Sequence, residues 1–324
     1  VEKSVRIGNI KSRRNNMPGK QVTELEALPS FTDTSLLPVH NGAGLKKGLL
    51  SKLVEYLGTK FSNPNLLINP DFKVNQRGLT TYNETDYSFD RWKIYNTTVK
   101  QLGNGISYKG GSATTNSVGT LENYISQILE TELNEEFTIS VKVSSIVGSF
   151  RLEAMKKGGT SLLGGNALIG KKEITTNGIH TLTLDGSSAP LSIIRFGTTS
   201  QNGACTIEWI KLEKGKVATT FVAPNYADEL IKCQRYYFKR YYYYVFYSGS
   251  ASFTYIFSDT IPSMRIKPTV NFANTSNSGL TRAVVSLDTT VKDLTLLIQA
   301  VTSKVGNCNV GGTIELDAEI YDDE

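Results

Sequence analysis

The carboxylates come closest to offering chemistry. Asp86 lies near Asp90, and Glu130, Glu132, Glu135 and Glu136 crowd one stretch. Two acids flanking a sugar bond, about 5 Å apart for retention and farther apart for inversion, can hydrolyse a glycoside. All of these acids sit in polar stretches, which read as solvated loops rather than a groove. A Ser–His–Asp arrangement would need one of only two histidines, His40 and His180. His40 precedes an Asn-Gly turn and reads as surface. His180 sits in the alternating stretch GIHTLTL and reads as structural. No nucleophile elbow, P-loop or dinucleotide fingerprint occurs. Cys205, Cys233 and Cys308 lie far apart without a C-x-x-C, so neither zinc nor a disulfide framework is expected. Asp317, Glu319, Asp322 and Asp323 could ligate calcium, although an acidic chain end also reads as a solvated tip. No catalytic residue, metal or cofactor is expected.

Binding chemistry has better candidates. Asp90-Arg91-Trp92 could stack a sugar ring on the indole while the charged pair grips hydroxyls. It could equally be a buried Trp whose Asp–Arg pair pins a strand to a core. Residues 236–247 hold nine aromatics in twelve positions. In a strand, alternate members of that run point inward and outward. The outward set suits packing between protomers, or contact with a ligand. The candidate glycan or receptor contacts are Trp92, Tyr241 and Tyr243.

These residues need elements to hold them. At 324 residues the chain should form two or three domains. Tyr, Phe, Thr, Ser and Val suit pleated, half-buried strands. The net charge of +5 hides an uneven spread: residues 1–22 carry six Lys/Arg and one Glu, and 315–324 carry six acids and no base. Residues 1–22 show neither hydrophobic period and read as an extended arm that orders on a partner. Basic arms can bind nucleic acid, but a protein docking site is the expected partner here, contacted by Arg6, Lys11, Arg13 and Arg14. No apolar run is long enough to span a bilayer, and residues 1–20 hold no apolar signal core. No membrane insertion and no export are expected.

Residues 41–44 (Asn-Gly-Ala-Gly) form a turn. The stretch 49–57 has helical spacing, with Leu50, Leu53, Val54 and Leu57 on one face. One such helix is marginal alone, so Leu50, Leu53 and Leu57 are candidate oligomer contacts. Short strands punctuated by Gly pairs follow from 94 to 222. Phe137, Ile139, Val141 and Val143 should point inward, 191–196 should be a buried strand, and 206–212 should put Ile207, Trp209 and Lys211 on one face. Residues 226–233 read as a short helix capped by Asn225, with Asp228 and Glu229 in its first turn. Strands then resume at 252–257, 284–287, 294–301 and 312–320.

Three motifs carry a resemblance. They are NLLINPDF at 65–72 with NQRG at 75–78 and DRW at 90–92; WIKLEKG, AT.F and CQRYY across 209–237; and P.MR..PTV at 262–270. In this order the chain resembles tailed-phage and prophage tail-fibre or head-fibre proteins, from about residue 64 onward. The segment 23–61 is similar to the opening that follows the attachment arm in such proteins.

The resemblance implies a mostly β chain in three zones. Residues 1–61 would be a virion-attachment arm with a small anchor helix. Residues 64–222 would be a jelly-roll β-sandwich like carbohydrate-binding modules, and 223–324 a short helix and a C-terminal β head domain. It also implies a homotrimer, bound to other virion proteins through the arm, with a host-surface glycan as ligand. The chain would be assembled into virions in the host cytoplasm. It favours the structural reading of Asp90-Arg91-Trp92. Two other readings stay open: a capsid decoration protein with no essential receptor role, and a surface-polysaccharide depolymerase; a third, a secreted cellular glycan-binding protein, is disfavoured by the lack of an apolar signal core in residues 1–20.

Overall fold

A computed structural model of the chain describes residues 36–40, 45–49, 62–83, 85–112, 115, 119–158, 166–288 and 295–320, the first two of these as backbone only. In the N-terminal body (Val1–Tyr56), strands β1 (Leu36–His40) and β2 (Leu45–Leu49) pair antiparallel on either side of the expected turn. Leu49 and the lysines before it are therefore in a strand, not at the head of a helix. The rest of that helix, with Leu50, Leu53 and Leu57, lies outside the described residues. So do Arg6, Lys11, Arg13 and Arg14.

The second body (Leu57–Glu324) holds two β cores. The first is a sandwich of strands β3 (Thr81–Tyr82), β4 (Lys93–Tyr95), β5 (Thr97–Gln101), β6 (Ile106–Gly110), β7 (Tyr124–Leu133), β8 (Glu136–Val147), β9 (Phe150–Lys156), β10 (Ala167–Ile174), β11 (Gly178–Asp185), β12 (Leu191–Thr198) and β13 (Ala204–Lys214). One sheet runs β10-β9-β12-β7-β4 and the other β11-β8-β13-β6-β5-β3, with antiparallel neighbours throughout. Phe137, Ile139, Val141 and Val143 are buried from β8, as their alternation dictates, and meet Phe150, Leu152 and Phe196 from the facing sheet. Every residue of β12 is buried.

Strand β13 departs from simple alternation. A register shift between Ile207 and Trp209 lets Ile207, Ile210 and Leu212 all reach the core. A β-bulge of this kind reverses the facing of the residues beyond it. Trp209, Lys211 and Glu213 then share the outer face, where the returning chain covers them. Trp209 stacks on Phe221 at 4.6 Å. The Lys211 ammonium donates to Thr219 Oγ1 at 2.6 Å and to the carbonyls of Thr219 and Thr220. Glu213 accepts from the Thr219 backbone N–H at 2.9 Å. The motif WIKLEKG…AT.F is thus a strand and the strap that crosses it.

The strap leads to α1 (Tyr226–Gln234), whose Asn225 cap accepts from the N–H groups of Ala227 and Asp228. The second core comes next, built from β14 (Tyr237–Ser248), β15 (Thr254–Thr260), β16 (Thr269–Ser278), β17 (Leu280–Asp288), β18 (Thr295–Thr302) and β19 (Gly306–Asp317). Two three-stranded antiparallel sheets, β14-β19-β16 and β15-β18-β17, bury Phe238, Tyr242, Leu296, Ile298, Ile314 and Leu316 between them. Tyr244 stacks on Phe257 across the gap at 4.4 Å. The last strand stops at Asp317 instead of running to 320, because residues 318–320 turn back onto the sandwich. Cys205, Cys233 and Cys308 are buried and unpaired. Among the described residues no helix is long and apolar enough to cross a membrane.

Close backbone approach makes one glycine of the sandwich irreplaceable. A Cβ on Gly197, in β12, would lie 1.9 Å from the Asn123 carbonyl oxygen. That atom belongs to backbone and cannot swing aside. Gly197→Ala should therefore cost more than about 3 kcal/mol, at the upper end of overpacking penalties, and a thermal melt of the variant should show it.

Candidate functional site

The segment 65–72 is clipped to β13 by amides. Asn65 Oδ1 accepts from the N–H groups of Leu67 and Leu212, and its amide donates to the Ile210 carbonyl. The chain then reverses at Asn69 and Phe72, both with left-handed backbone (φ 55° and 60°). Asn69 is fully buried. Its side chain donates to the carbonyls of Val74 (2.8 Å) and Asp90 (3.0 Å) and accepts from Val74 N–H (3.0 Å). Its own N–H donates to Glu229 of α1 at 2.6 Å. Glu229 therefore turns inward, although a place in the first helical turn is compatible with full exposure.

Trp92 completes this knot. It has no exposed surface, packs on Phe72 at 5.0 Å and donates its indole N–H to the Asn69 carbonyl at 2.7 Å. A sugar cannot stack on it, which corrects one of the two readings of Asp90-Arg91-Trp92. The charged pair is corrected as well, because Asp90 and Arg91 do not bind each other. Asp90 accepts from Gln76 N–H at 2.9 Å and from Arg77 at 3.3 Å. Arg91, itself left-handed at φ 72°, crosses to the far end of the chain. It donates to Glu319 Oε2 and to the Ile128 carbonyl, each at 2.6 Å, and lies 3.8 Å over the Tyr236 ring.

The remaining motif residues close the same junction. The Arg77 guanidinium sits 3.9 Å over the Tyr237 ring and 3.6 Å from Glu319. Gln76 donates to the Tyr237 carbonyl, and Tyr87 to that of Ile320. Arg265, from P.MR, donates to the carbonyls of Ala318 and Glu319. Ile128, Met155 and Ile193 of the sandwich pack with Tyr236 and Ile320. Every motif behind the resemblance thus contributes to one buried joint between the two cores. Sequence reasoning missed Asn69, Arg77 and Glu319 as its centre. Arg77 and Asn69 stood inside the motifs, but Glu319 carried no local signal, lying 228 residues from Arg91.

Burial pushes the Asp90 carboxyl up to about 6, against Gln76 N–H and Arg77, which favour its charge. A folded value above the ordinary one means that folding takes up a proton between about pH 4 and 6. This contribution to stability is complete in acid and is lost as pH rises through that window. Asp90→Asn should flatten the decline, which urea unfolding at a series of pH values would reveal.

The joint is flanked by clefts. One, of about 450 Å³, opens between β3 and β14 and is edged by Tyr82, Tyr87, Tyr237, Lys239, Glu315 and Asp317, with Asn83 at its rim. A second, of about 400 Å³, lies along the sandwich edge between Asn96, Thr97, Thr98, Gly110 and Asn123, and Asn83 lines it too. A third, of about 470 Å³, lies near Glu130 and Arg235. The bidentate ion pair of those two residues, at 2.7 and 2.8 Å, is part of its wall.

The other carboxylates that could serve glycoside chemistry are engaged elsewhere. Glu132 accepts from Ser192, Glu135 pairs with Lys214, and Glu136 with Lys216. Asp86 is exposed and Asp90 fully buried, so the two share no surface. Glu319 of the calcium candidate meets Arg91 instead, and Asp322 and Asp323 lie outside the described residues. Tyr241 and Tyr243 do face out, 55% and 50% exposed on β14. They lie over Gly311, where an added Cβ would come within 2.6 Å of the Tyr243 ring.

No family model and no curated protein sequence matches the chain. Solved structures give faint likenesses over about half of the chain. The Clostridium thermocellum endo-1,4-beta-D-xylanase 10B, solved as CBM22-1–GH10 modules with xylohexaose, aligns at 11% identity and TM-score 0.33 over 48% of this chain. The alignment spans 29% of that xylanase chain. A putative sugar binding protein from Bacteroides thetaiotaomicron aligns at 12% identity and TM-score 0.32 over 47% of this chain and all of its own. A mutant of a family 29 carbohydrate-binding module aligns at 11% and 0.30, over 45% of this chain and 96% of its own. The sandwich assignment stands on its own sheets and core, not on these likenesses.

Proposed function

We propose that the chain is an appendage subunit of a bacteriophage-like virion, a tail or head fibre, that holds a host-surface glycan without cleaving it. The observation that carries this reading is the joint. The motifs that carry the fibre resemblance are buried structure, so they hold the two β cores together and leave the outer surfaces free to differ between receptors. Such coupling suits a subunit that must present a binding face at a distance from its anchor. In this reading residues 1–61 anchor the chain to other virion proteins, and three copies assemble. Weak sites on several chains would then gain strength through avidity.

Antibody raised against the chain should decorate appendages of particles from a lysate of the encoding cell, seen by electron microscopy. Particles that carry no label would overturn the virion reading. The solution mass of the full chain should be close to three chains, and a monomer at every concentration would remove the trimer.

A further inference from the structure

The two clefts that meet at Asn83 differ in chemistry. The sandwich-edge cleft is lined by amides, hydroxyls and glycine backbone: Asn96, Thr97, Thr98, Gly110, Gly111 and Asn123. Its shape is fixed rather than incidental. Asn96 holds a left-handed backbone at φ 46°. A Cβ on Gly111 would lie 2.9 Å from the Asn96 carbonyl oxygen, and one on Gly110 would lie 2.3 Å from the Thr198 methyl. Its one charge among the described residues, Lys109, is an exposed rim lysine of the kind that contributes little. Neighbouring donors and acceptors without fixed charge suit the hydroxyls of an uncharged saccharide.

The junction cleft adds tyrosine edges and charges. Its bases are Arg77 and Lys239; its acids are Asp86, Glu315 and Asp317. Lys239 is already paired with Glu315 at 2.8 Å, and Arg77 faces Asp90 at 3.3 Å and Glu319 at 3.6 Å behind the wall. The acids outnumber the bases, and each base is held by its own acids. An anionic ligand would have to compete with those acids for either base and would face carboxylates in excess, a repulsive element of the kind that gives specificity.

We infer that these clefts are two subsites of one groove, with Asn83 at its middle, that takes an extended uncharged polysaccharide chain and rejects uronic-acid, sialylated or phosphate-bearing ones. This rests on the glycan-binding reading above and specifies where and which glycan. It also moves the site away from Tyr241 and Tyr243, on the outer face of β14.

The test applies the full chain to an array of neutral and anionic bacterial-surface oligosaccharides, followed by calorimetry on whichever binds. Asn83→Trp should plug the groove between its halves. Asn83 is exposed, so the variant should melt like the parent. Asn96→Gly removes one amide while keeping the backbone allowed, and provides a second variant should Asn83→Trp misfold. The expected result is binding of a neutral glycan, weakened about tenfold or more by either variant and unchanged in a Tyr241→Ala/Tyr243→Ala double variant; tenfold is about 1.4 kcal/mol. Binding that survives the groove variants but fails in the tyrosine variant would overturn the groove and leave glycan adhesion standing. Binding confined to anionic glycans would also overturn it. A chain that binds no glycan at all would end the adhesion reading and the groove with it.

Discussion

Glu319→Ala is expected to destabilise the chain by about 3–5 kcal/mol, the usual cost of removing one partner from a buried ion pair. The Arg91 guanidinium would be left 2% exposed with its carboxylate gone. The loss should exceed that of an isolated pair. Glu319 also accepts from the Arg91 backbone N–H at 3.2 Å and lies 3.6 Å from Arg77, so Arg91 loses its counter-charge and Arg77 one of its acids, keeping Asp90 at 3.3 Å. Because the pair bridges the sandwich and the second core, the damage should concentrate at the joint. Unfolding by urea should split into two steps, and limited proteolysis should begin to cut the strap at 215–225. Arg91→Met/Glu319→Leu should recover much of the loss, since an apolar pair leaves no orphaned charge. A Glu319→Ala protein that unfolds in one step with parental stability would show that the joint does not couple the cores.

Asn69→Ala should be about as damaging, for a different reason. Three buried hydrogen bonds disappear, leaving Val74 N–H and the carbonyls of Val74 and Asp90 without that partner. A buried polar group left unpaired costs about 1–3 kcal/mol. The alanine must also adopt φ 55°, which costs an L-residue roughly 1–2 kcal/mol. The two causes can be separated. Asn69→Gly accepts the backbone and loses only the hydrogen bonds, so it should be the more stable variant by about 1 kcal/mol. Equal stability of the two would mean that backbone strain plays no part. Trp92 fluorescence offers a local readout, because its indole N–H is bound to the Asn69 carbonyl.

The joint is built from side chains that cannot be exchanged singly. Asn69, Arg77, Asp90, Arg91, Trp92, Tyr236 and Glu319 are all largely or wholly removed from solvent. Each is polar or aromatic and has specific partners, so substitution leaves a neighbour unsatisfied. At the rims of the clefts beside the joint, the side chains of Asn83, Asp86 and Asn96 are exposed.

What the sequence determined by itself was whatever a short stretch encodes through its own geometry. Strand β8 shows its inner face because side chains alternate along any strand. Helix α1 starts where Asn225 can cap it, an interaction spanning three residues. The split of the aromatic run into inward Tyr242 and outward Tyr241 and Tyr243 comes from the same period of two. Tertiary structure decided whatever depends on partners distant in sequence. Pairing with both β6 and β8 puts a bulge in β13 and brings Ile207 to the same core as Ile210, which no local alternation shows. Trp92 became a core residue instead of a platform because residues 65–72 fold over it. Asp90 and Arg91, adjacent in the chain, point to different partners because the left-handed backbone at Arg91 turns its side chain toward Glu319. Adjacent residues share a backbone, but the charge each one meets is chosen by which distant segment packs against it, and that choice belongs to the whole fold.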